Sequence, residues 1–300
     1  MTEKALNYEK DAQQTILLRD QITDALAKDS GPLGDVTSKA LIEEEHLAIA
    51  ELIVKADRGI LSGVNIARLV FEIIDPEIIF TPLFSDGDEI KKGDILAYIE
   101  GNGRNILTAE RIALEFIRRM SGIATKTDKF VQELAGTSTQ ILDTRKIFPG
   151  YGDLDKQAVR DGGGINHRAN LSEMGLIKNN HIDVLDGDIE LAITLFRKQY
   201  PNIPLEVEVR DKAEFLSALI NTPDRILLDN MSNEETKYAV TIRDEFANQT
   251  GIRIPLEASG NMTLDRVHSV AQTGVDFISV GELTHSIEAF DISLHISFNK

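Results

Sequence analysis

Between Arg145 and His181 the chain carries six basic side chains, Arg145, Lys146, Lys156, Arg160, Arg168 and Lys178, against four acids, Asp153, Asp155, Asp161 and Glu173. That is a local excess of +2 in a sequence whose formal net charge is -17. Such a concentration suits a pocket for a small, multiply charged anion, because guanidinium and ammonium groups in a dry cleft interact with carboxylates more strongly than on an open surface. Arg168 can grip a carboxylate bidentately, while Lys146 and Lys178 act as point charges. The stretch RDGGGINHRANL, residues 160–171, delivers His167 and Arg168 directly after three glycines. It is not a P-loop, since no G-x-x-x-x-G-K-[ST] pattern is present. The glycines instead allow positive φ, so that the chain turns after the helix DLDKQAVR and points His167 and Arg168 inward, or they cap that helix before solvated residues.

To bring these residues together the chain needs elements that end at one face. Six short apolar, β-branched runs (TQILDT, GLIKNN, LEVEVR, RILLDN, PLEASG and DFISVG) alternate with stretches of helical spacing, the mark of βαβ units and a parallel sheet. Six in succession favour an α/β barrel, in which the C-terminal strand ends carry the chemistry. Those ends are Arg145 and Lys146, Lys178, Glu208, Asp229, Glu257 with Ser259 and Gly260, and Gly281. Glu208 and Asp229 suit Mg²⁺ held through water, stabilisation of a cationic sugar-like transition state, or ion pairing with Lys178. Ser259, Gly260, Asn261 and Gly281 place small residues before helix starts, as a phosphate site after the last strands of a barrel requires. Thr263 serves equally as an N-cap.

Upstream, residues 1 to about 108 read as an α+β unit. Ile16, Leu17, Ile22 and Leu26 have helical spacing, HLAIAELIVKADRGILSG reads as strand, turn and strand, and NIARLVFEII is helical. The Asp-Gly and Lys-Gly pairs in DGDEIKKGDILAYIEG are hairpin chemistry. AERIALEFIRRM places Ile112, Ala113, Phe116, Ile117 and Met120 on one helical face, and Ser121-Gly122 marks a break.

Composition excludes several classes. The negative charge and a pI near 4.8 argue against nucleic acid or an anionic membrane surface as partner. The absence of cysteine removes disulfides, thiolate zinc sites and a cysteine nucleophile, and suits a reducing cytoplasm. No apolar run approaches the roughly 20 residues of a membrane helix, and the polar N-terminus lacks the apolar core of a signal peptide. The six histidines are scattered without an i, i+4 pair, so a histidine metal site is not expected, and His181 and His285 read as structural.

Taken in order, DTRKIFPG, KQAVRDGGGINHR, LIKNNHI, LEVEV, ILLDN, LEASGN and GVDFISVGELTHS resemble the quinolinate phosphoribosyltransferase family, also called nicotinate-nucleotide pyrophosphorylase (carboxylating). The resemblance reaches back through GDVTS, ADRGILSGV, DGDEIKKGD and AERIALEFIRRMSGIAT, and so covers nearly the whole chain. It implies an open, incomplete α/β barrel of parallel strands over 113–285, with an N-terminal α+β sandwich domain over 1–112 that the segment 286–300 joins. It implies conversion of quinolinate and phosphoribosyl pyrophosphate to nicotinate mononucleotide, pyrophosphate and CO₂, with Mg²⁺, by a homodimer in NAD biosynthesis. Carried over by position, Arg145, His167, Arg168 and Lys178 hold the quinolinate carboxylates with Lys146 beside them, and Arg111 comes from the partner subunit. Lys146, Lys178, Glu208 and Asp229 are the catalytic candidates, Glu208 and Asp229 addressing ribose and Mg²⁺-bound pyrophosphate. Ser259, Gly260, Asn261 and Gly281 take phosphate.

The chain departs from the commonest pattern at Ile147 and Phe148, where two threonines are frequent, at Asn179, where aspartate is frequent, and at Ile165. These departures motivate an alternative, a non-catalytic or regulatory homologue that binds a pyridine carboxylate; a transferase for another pyridine or pyrimidine acid is a third reading. Ile165, one residue before Asn166-His167-Arg168, is the expected place for a change in substrate preference.

Overall fold

The computed structural model describes residues 3–298 and divides into two compact units, one running to Thr125 and resuming at Glu288, the other Lys126–Ile287. Residues 1–2 and 299–300 of the expected first domain lie outside the described residues.

The first unit holds α1 (Glu3–Ser30), α2 (Val36–Leu41), β1 (Leu47–Val54), β2 (Arg58–Ile60), α3 (Val64–Ile74), β3 (Ile79–Pro82), β4 (Glu89–Lys91), β5 (Ile95–Asn102) and most of α4 (Gly103–Gln132). Alternation in β1 buries Ala48, Ala50, Leu52 and Val54 on one face, and Ile22 and Leu26 of α1 are buried in the core. Ile16 and Leu17 are exposed. The main sheet runs in the order β12-β1-β5-β3, its far edge supplied by a C-terminal strand, β12 (Ile292–Phe298), antiparallel to β1.

Two local expectations are corrected. The turn at Lys92-Gly93 does not close a hairpin: β4 pairs with β2, whereas β5 pairs with β1 and β3. Gly93, at φ +92°, and the Asp94 carboxylate that accepts the Lys91 N–H at 2.9 Å carry the chain from one sheet to the other. Nor does α4 break at Ser121-Gly122. The Ser121 hydroxyl is spent on main chain, donating to the Ser62 carbonyl and accepting the Ser62 N–H, both at 3.0 Å. Gly122 is demanded by a close approach, for a Cβ there would lie 2.2 Å from the Glu288 carbonyl oxygen.

The second unit continues with β6 (Gln140–Leu142), α5 (Gly152–Asp161), β7 (Gly175–Ile177), α6 (Asn179–Asp183), α7 (Ile189–Gln199), β8 (Leu205–Val209), α8 (Lys212–Ile220), β9 (Arg225–Asp229), α9 (Asn233–Thr250), β10 (Leu256–Ser259), α10 (Leu264–Ala271), β11 (Phe277–Ser279) and α11 (Glu282–His285). All six expected strands form one parallel sheet in the order β6-β11-β10-β9-β8-β7. No ladder joins β6 to β7 among the described residues, so the barrel is open there. A single bridge from Ile165 to Leu142 extends the β6 edge by one residue. In β8 the alternation is strict: Leu205, Val207 and Val209 are buried on one face, and Glu206 and Glu208 share the other. No helix among the described residues is long and apolar enough to cross a membrane.

Alanine normally stabilises a helix interior by about 1 kcal/mol relative to glycine. Because Gly122 meets the Glu288 carbonyl, Gly122→Ala is expected instead to lose about 1 to 3 kcal/mol by overpacking. Scanning calorimetry reads this as a lower melting temperature, and an unchanged or higher one refutes the steric account.

Candidate active site

The C-terminal strand ends of the second unit enclose a cavity of about 590 Å³. Arg145, Lys146, His167, Arg168, Lys178, Glu208, Asp229, Ser259, Gly260, Asn261 and Gly281, all singled out in the sequence, line it. Arg111 does not; on α4 of the first unit it is exposed and lies 3.5 Å from Glu115. Ile147, Phe148 and Ile165 are also absent from the lining. Ile147 packs over Gly152 and Phe148 stacks edge-on with Tyr151, their rings 5.6 Å apart. Ile165 bonds through its backbone to β6, taking the Ile141 carbonyl at 2.8 Å while its side chain is exposed, so it is a strand edge and does not touch the cavity.

Of the six cations counted in the sequence, four face the cavity and two build it. Lys156 of α5, only 4% exposed, donates to Asp143 Oδ1 at 2.8 Å and to the His167 carbonyl at 2.9 Å. The same Asp143 carboxylate accepts the His167 N–H and the Asn166 side-chain amide, both at 2.7 Å. Arg160 holds the other end of the Asn166 side chain. Burial raises the Asp143 carboxyl above its ordinary value, opposed by Lys156 and by the His167 N–H. The three glycines divide the turn between them. Gly162 caps α5; Gly163 takes φ +85°; and a Cβ on Gly164 would lie 2.8 Å from Val159 and 2.9 Å from Thr127.

Emerging from this turn, Arg168 sends Nη1 to the Met174 carbonyl at 2.7 Å. Burial and the neighbouring Arg145 hold its guanidinium below the ordinary value, although arginine stays charged. Lys178 ends β7, across from Glu208. Burial lifts the Glu208 carboxyl, Lys178 lowers it, and Asp229 on the adjacent strand raises it again. No ion pair within 4.0 Å joins Lys178 to either acid among the described residues, so its influence is through space. At the other end, a Cβ on Gly260 would lie 2.2 Å from Asn230 Oδ1, and Gly281 leaves 3.0 Å to Lys146 Cδ. Thr263 occupies the N-cap of α10 without a side-chain cap bond.

Beneath the cations lies a group the sequence reading did not assemble. His167 Nε2 is 2.9 Å from Glu206 and 3.5 Å from Glu257, and Arg225 pairs with Glu257 at 2.9 Å. His167, Glu206 and Glu257 are the one set among the described residues whose ligand atoms, within 4.8 Å of one another, are close enough for a metal ion. Hydrogen bonding and Arg225 account for the same contacts without one. Strict alternation in LEVEV was the available signal for Glu206, since residues two apart share a strand face. Burial and Glu257 push the Glu206 carboxyl up to about 7. Burial opposes a charge on His167, but its hydrogen bonds to both glutamates outweigh that and lift the ring to about 9. The Arg168 N–H, 2.7 Å from Nδ1, needs the lone pair there. With Nδ1 facing that N–H, Nε2 carries the hydrogen directed at the glutamates, and the further proton that both raised values retain is shared between His167 and Glu206.

This assembly, an open parallel α/β barrel whose strand ends set four cations opposite carboxylates, defines an enzyme of the α/β-barrel class with a cavity for a polyanionic small molecule. Residues 35–121 match the N-terminal domain of quinolinate phosphoribosyl transferase and residues 123–295 its C-terminal domain. The chain belongs to the quinolinate phosphoribosyl transferase family. It is 37% identical to nicotinate-nucleotide pyrophosphorylase (carboxylating) of Mycobacterium leprae, over 93% of this chain and 96% of that protein. It is 39% identical to the chloroplastic enzyme of the same name from Arabidopsis thaliana, over 98% of this chain and 87% of that protein. Among solved structures, nicotinate-nucleotide pyrophosphorylase from Francisella tularensis superposes with a TM-score of 0.86 at 37% identity, covering 94% of this chain and 96% of that one. None of these relatives bears a non-catalytic description, and the regulatory alternative has no support from them.

Both His167 and Glu206 have pKa values raised on folding, so their contribution to stability is present at low pH and lost as pH rises, from about 4.5 for a free glutamate through about 9 for the folded histidine. Melting temperatures of wild type and Glu206→Gln between about pH 5 and about pH 9 should diverge, the wild type falling more steeply. Parallel curves refute the shared-proton assignment.

Proposed function

We propose that this chain transfers the phosphoribosyl group of phosphoribosyl pyrophosphate to quinolinate and removes the C2 carboxylate, releasing nicotinate mononucleotide, pyrophosphate and CO₂. The observation that carries the reading is the convergence of Arg145, Lys146, Arg168 and Lys178 on one cavity that also exposes Glu208 and Asp229, in a member of this family. A substrate with two carboxylates explains why so many cations meet.

In the reaction the bond from C1 of the ribose to pyrophosphate breaks, leaving an oxocarbenium-like centre that Glu208 and Asp229 stabilise electrostatically. The pyridine nitrogen attacks that carbon. The bond from C2 to its carboxylate then breaks, CO₂ departs, the electron pair stays at C2 beside the pyridinium nitrogen, and a proton replaces the carboxylate. Arg145, Arg168, Lys146 and Lys178 hold the carboxylates and orient the ring. His167, both ring nitrogens engaged within the chain, fixes the main chain of Arg168 from behind. Ser259, Gly260, Asn261 and Gly281 take the 5-phosphate.

Glu208 and Asp229 offer hard oxygen ligands, half-buried on neighbouring strands, which fits a Mg²⁺ that keeps most of its waters. Mg²⁺ bound there would neutralise charge on the pyrophosphate leaving group. The working unit in this reading is a homodimer in which Arg111 reaches the partner's cavity. We place it in the cytoplasm, a reading the cysteine-free composition suits.

Purified protein given quinolinate, phosphoribosyl pyrophosphate and Mg²⁺ is expected to form nicotinate mononucleotide; tight quinolinate binding with no product sinks the enzyme reading. Arg168→Ala should weaken quinolinate binding by about 2 kcal/mol or more, the scale of a lost charged pair, and unchanged affinity refutes the assigned role. Mixing Arg111→Ala with Lys178→Ala subunits should recover activity if sites are shared, and no recovery in demonstrated heterodimers counts against a shared site.

A further inference from the structure

Three positions on the cavity rim adopt left-handed backbone: Asn230 at φ +54°, Gly260 at +99° and Asn261 at +50°. For the two asparagines this conformation costs about 1 kcal/mol or more and persists only where the surroundings impose it. Part of the constraint is local. The Asn230 amide donates to Asp229 Oδ1 at 2.9 Å, Asn261 donates to Asn230 Oδ1 at 3.2 Å, and the Asn230 N–H takes the Ser259 carbonyl at 2.9 Å.

The rest comes from one side chain outside the cavity. Arg266 of α10, half-buried, donates Nη1 to the Gly260 carbonyl at 2.8 Å, Nη2 to the Met231 carbonyl at 3.1 Å and, at the long limit of 3.4 Å, Nη1 to the Asn261 carbonyl. It forms no ion pair among the described residues, so its guanidinium serves the main chain of two strand-end turns, those after β9 and β10. No cis peptide occurs among the described residues, and in a trans peptide the C=O and N–H point in opposite directions. A guanidinium that draws the Gly260 oxygen to itself therefore turns the Asn261 N–H away, and its weaker hold on the Asn261 oxygen does the same for the Met262 N–H. Asn261 and Met262 line the cavity while Arg266 does not. Neither N–H donates to another atom among the described residues. At the third carbonyl the same geometry is visible with its partner in place, since the Ser232 N–H, opposite the Met231 oxygen, reaches Glu235 at 2.9 Å.

We propose that Arg266 is a positioning residue that aims the peptide N–H groups of residues 261 and 262 at the phosphate of the phosphoribosyl substrate, a role that rests on the transfer reading above. It sets affinity for that substrate without touching it, and a lysine cannot replace it because one ammonium cannot bridge two turns in a planar fork.

The test compares wild type with Arg266→Met and Arg266→Lys, by steady-state kinetics and by calorimetric titration with ribose 5-phosphate, which needs no turnover. Both variants should raise the KM for phosphoribosyl pyrophosphate and weaken ribose 5-phosphate about tenfold, or about 1.4 kcal/mol, with the quinolinate KM changed by less than about twofold. Equal rises in both KM values, no change in either, wild-type affinity in Arg266→Lys, or no ribose 5-phosphate binding by wild type overturns the proposal. Wild type that binds ribose 5-phosphate in an Arg266-dependent way yet makes no nicotinate mononucleotide sinks the transfer reading and leaves the positioning role standing.

Discussion

The ion pair between Lys156 and Asp143 is the contact on which the cation cluster depends. Both groups are out of water, and Asp143 also receives the main-chain N–H of His167 and the amide of Asn166. A buried pair of this kind contributes little net stability when intact, but losing one partner costs about 3 to 5 kcal/mol because the other charge is stranded. Its value here is geometric. Through the His167 carbonyl, the same lysine fixes where the chain leaves the glycine turn, and hence where Arg168 begins.

Holding like charges together then becomes an electrostatic problem that the barrel solves in layers. The four cavity cations would repel one another, and Arg145 already depresses Arg168. Glu208 and Asp229 share the cavity with them, and Glu206 and Glu257 lie deeper. With His167 and Arg225 the deeper pair forms a nearly neutral group that keeps its protons in a low-dielectric floor. An acidic protein can therefore present a positive mouth without an exposed basic surface.

The parts legible in the sequence were those fixed by local pattern. Short apolar, β-branched runs located all six strands of the parallel sheet, and the rule that barrel chemistry sits at C-terminal strand ends pointed from those runs to the residues lining the cavity. What stayed hidden depends on partners far along the chain. Lys92-Gly93 looks like a hairpin turn, yet sheet membership is decided by β1 and β2. Gly122 looks like a helix break, yet its reason is a carbonyl at residue 288. Lys156 looked like a site cation until its burial against Asp143 made it scaffold, and Ile165 looked like a specificity position although only its backbone is used. Arg266 carries no motif, and its role lies in three carbonyls contributed by two turns.

The C-terminal strand β12 has a consequence for how the polypeptide is made. The first unit borrows its sheet edge from residues after Glu288, whereas the second is a single uninterrupted stretch. On the ribosome, where domains ordinarily fold in order of synthesis, the second unit possesses its entire sequence while β1 still lacks a neighbour. Until β12 emerges, one side of β1 is an unpaired edge of the sort that invites pairing with another chain. The segment that closes the first unit is thus translated only after the whole of the second, and the interval before it arrives is when β1 is most exposed to misassociation.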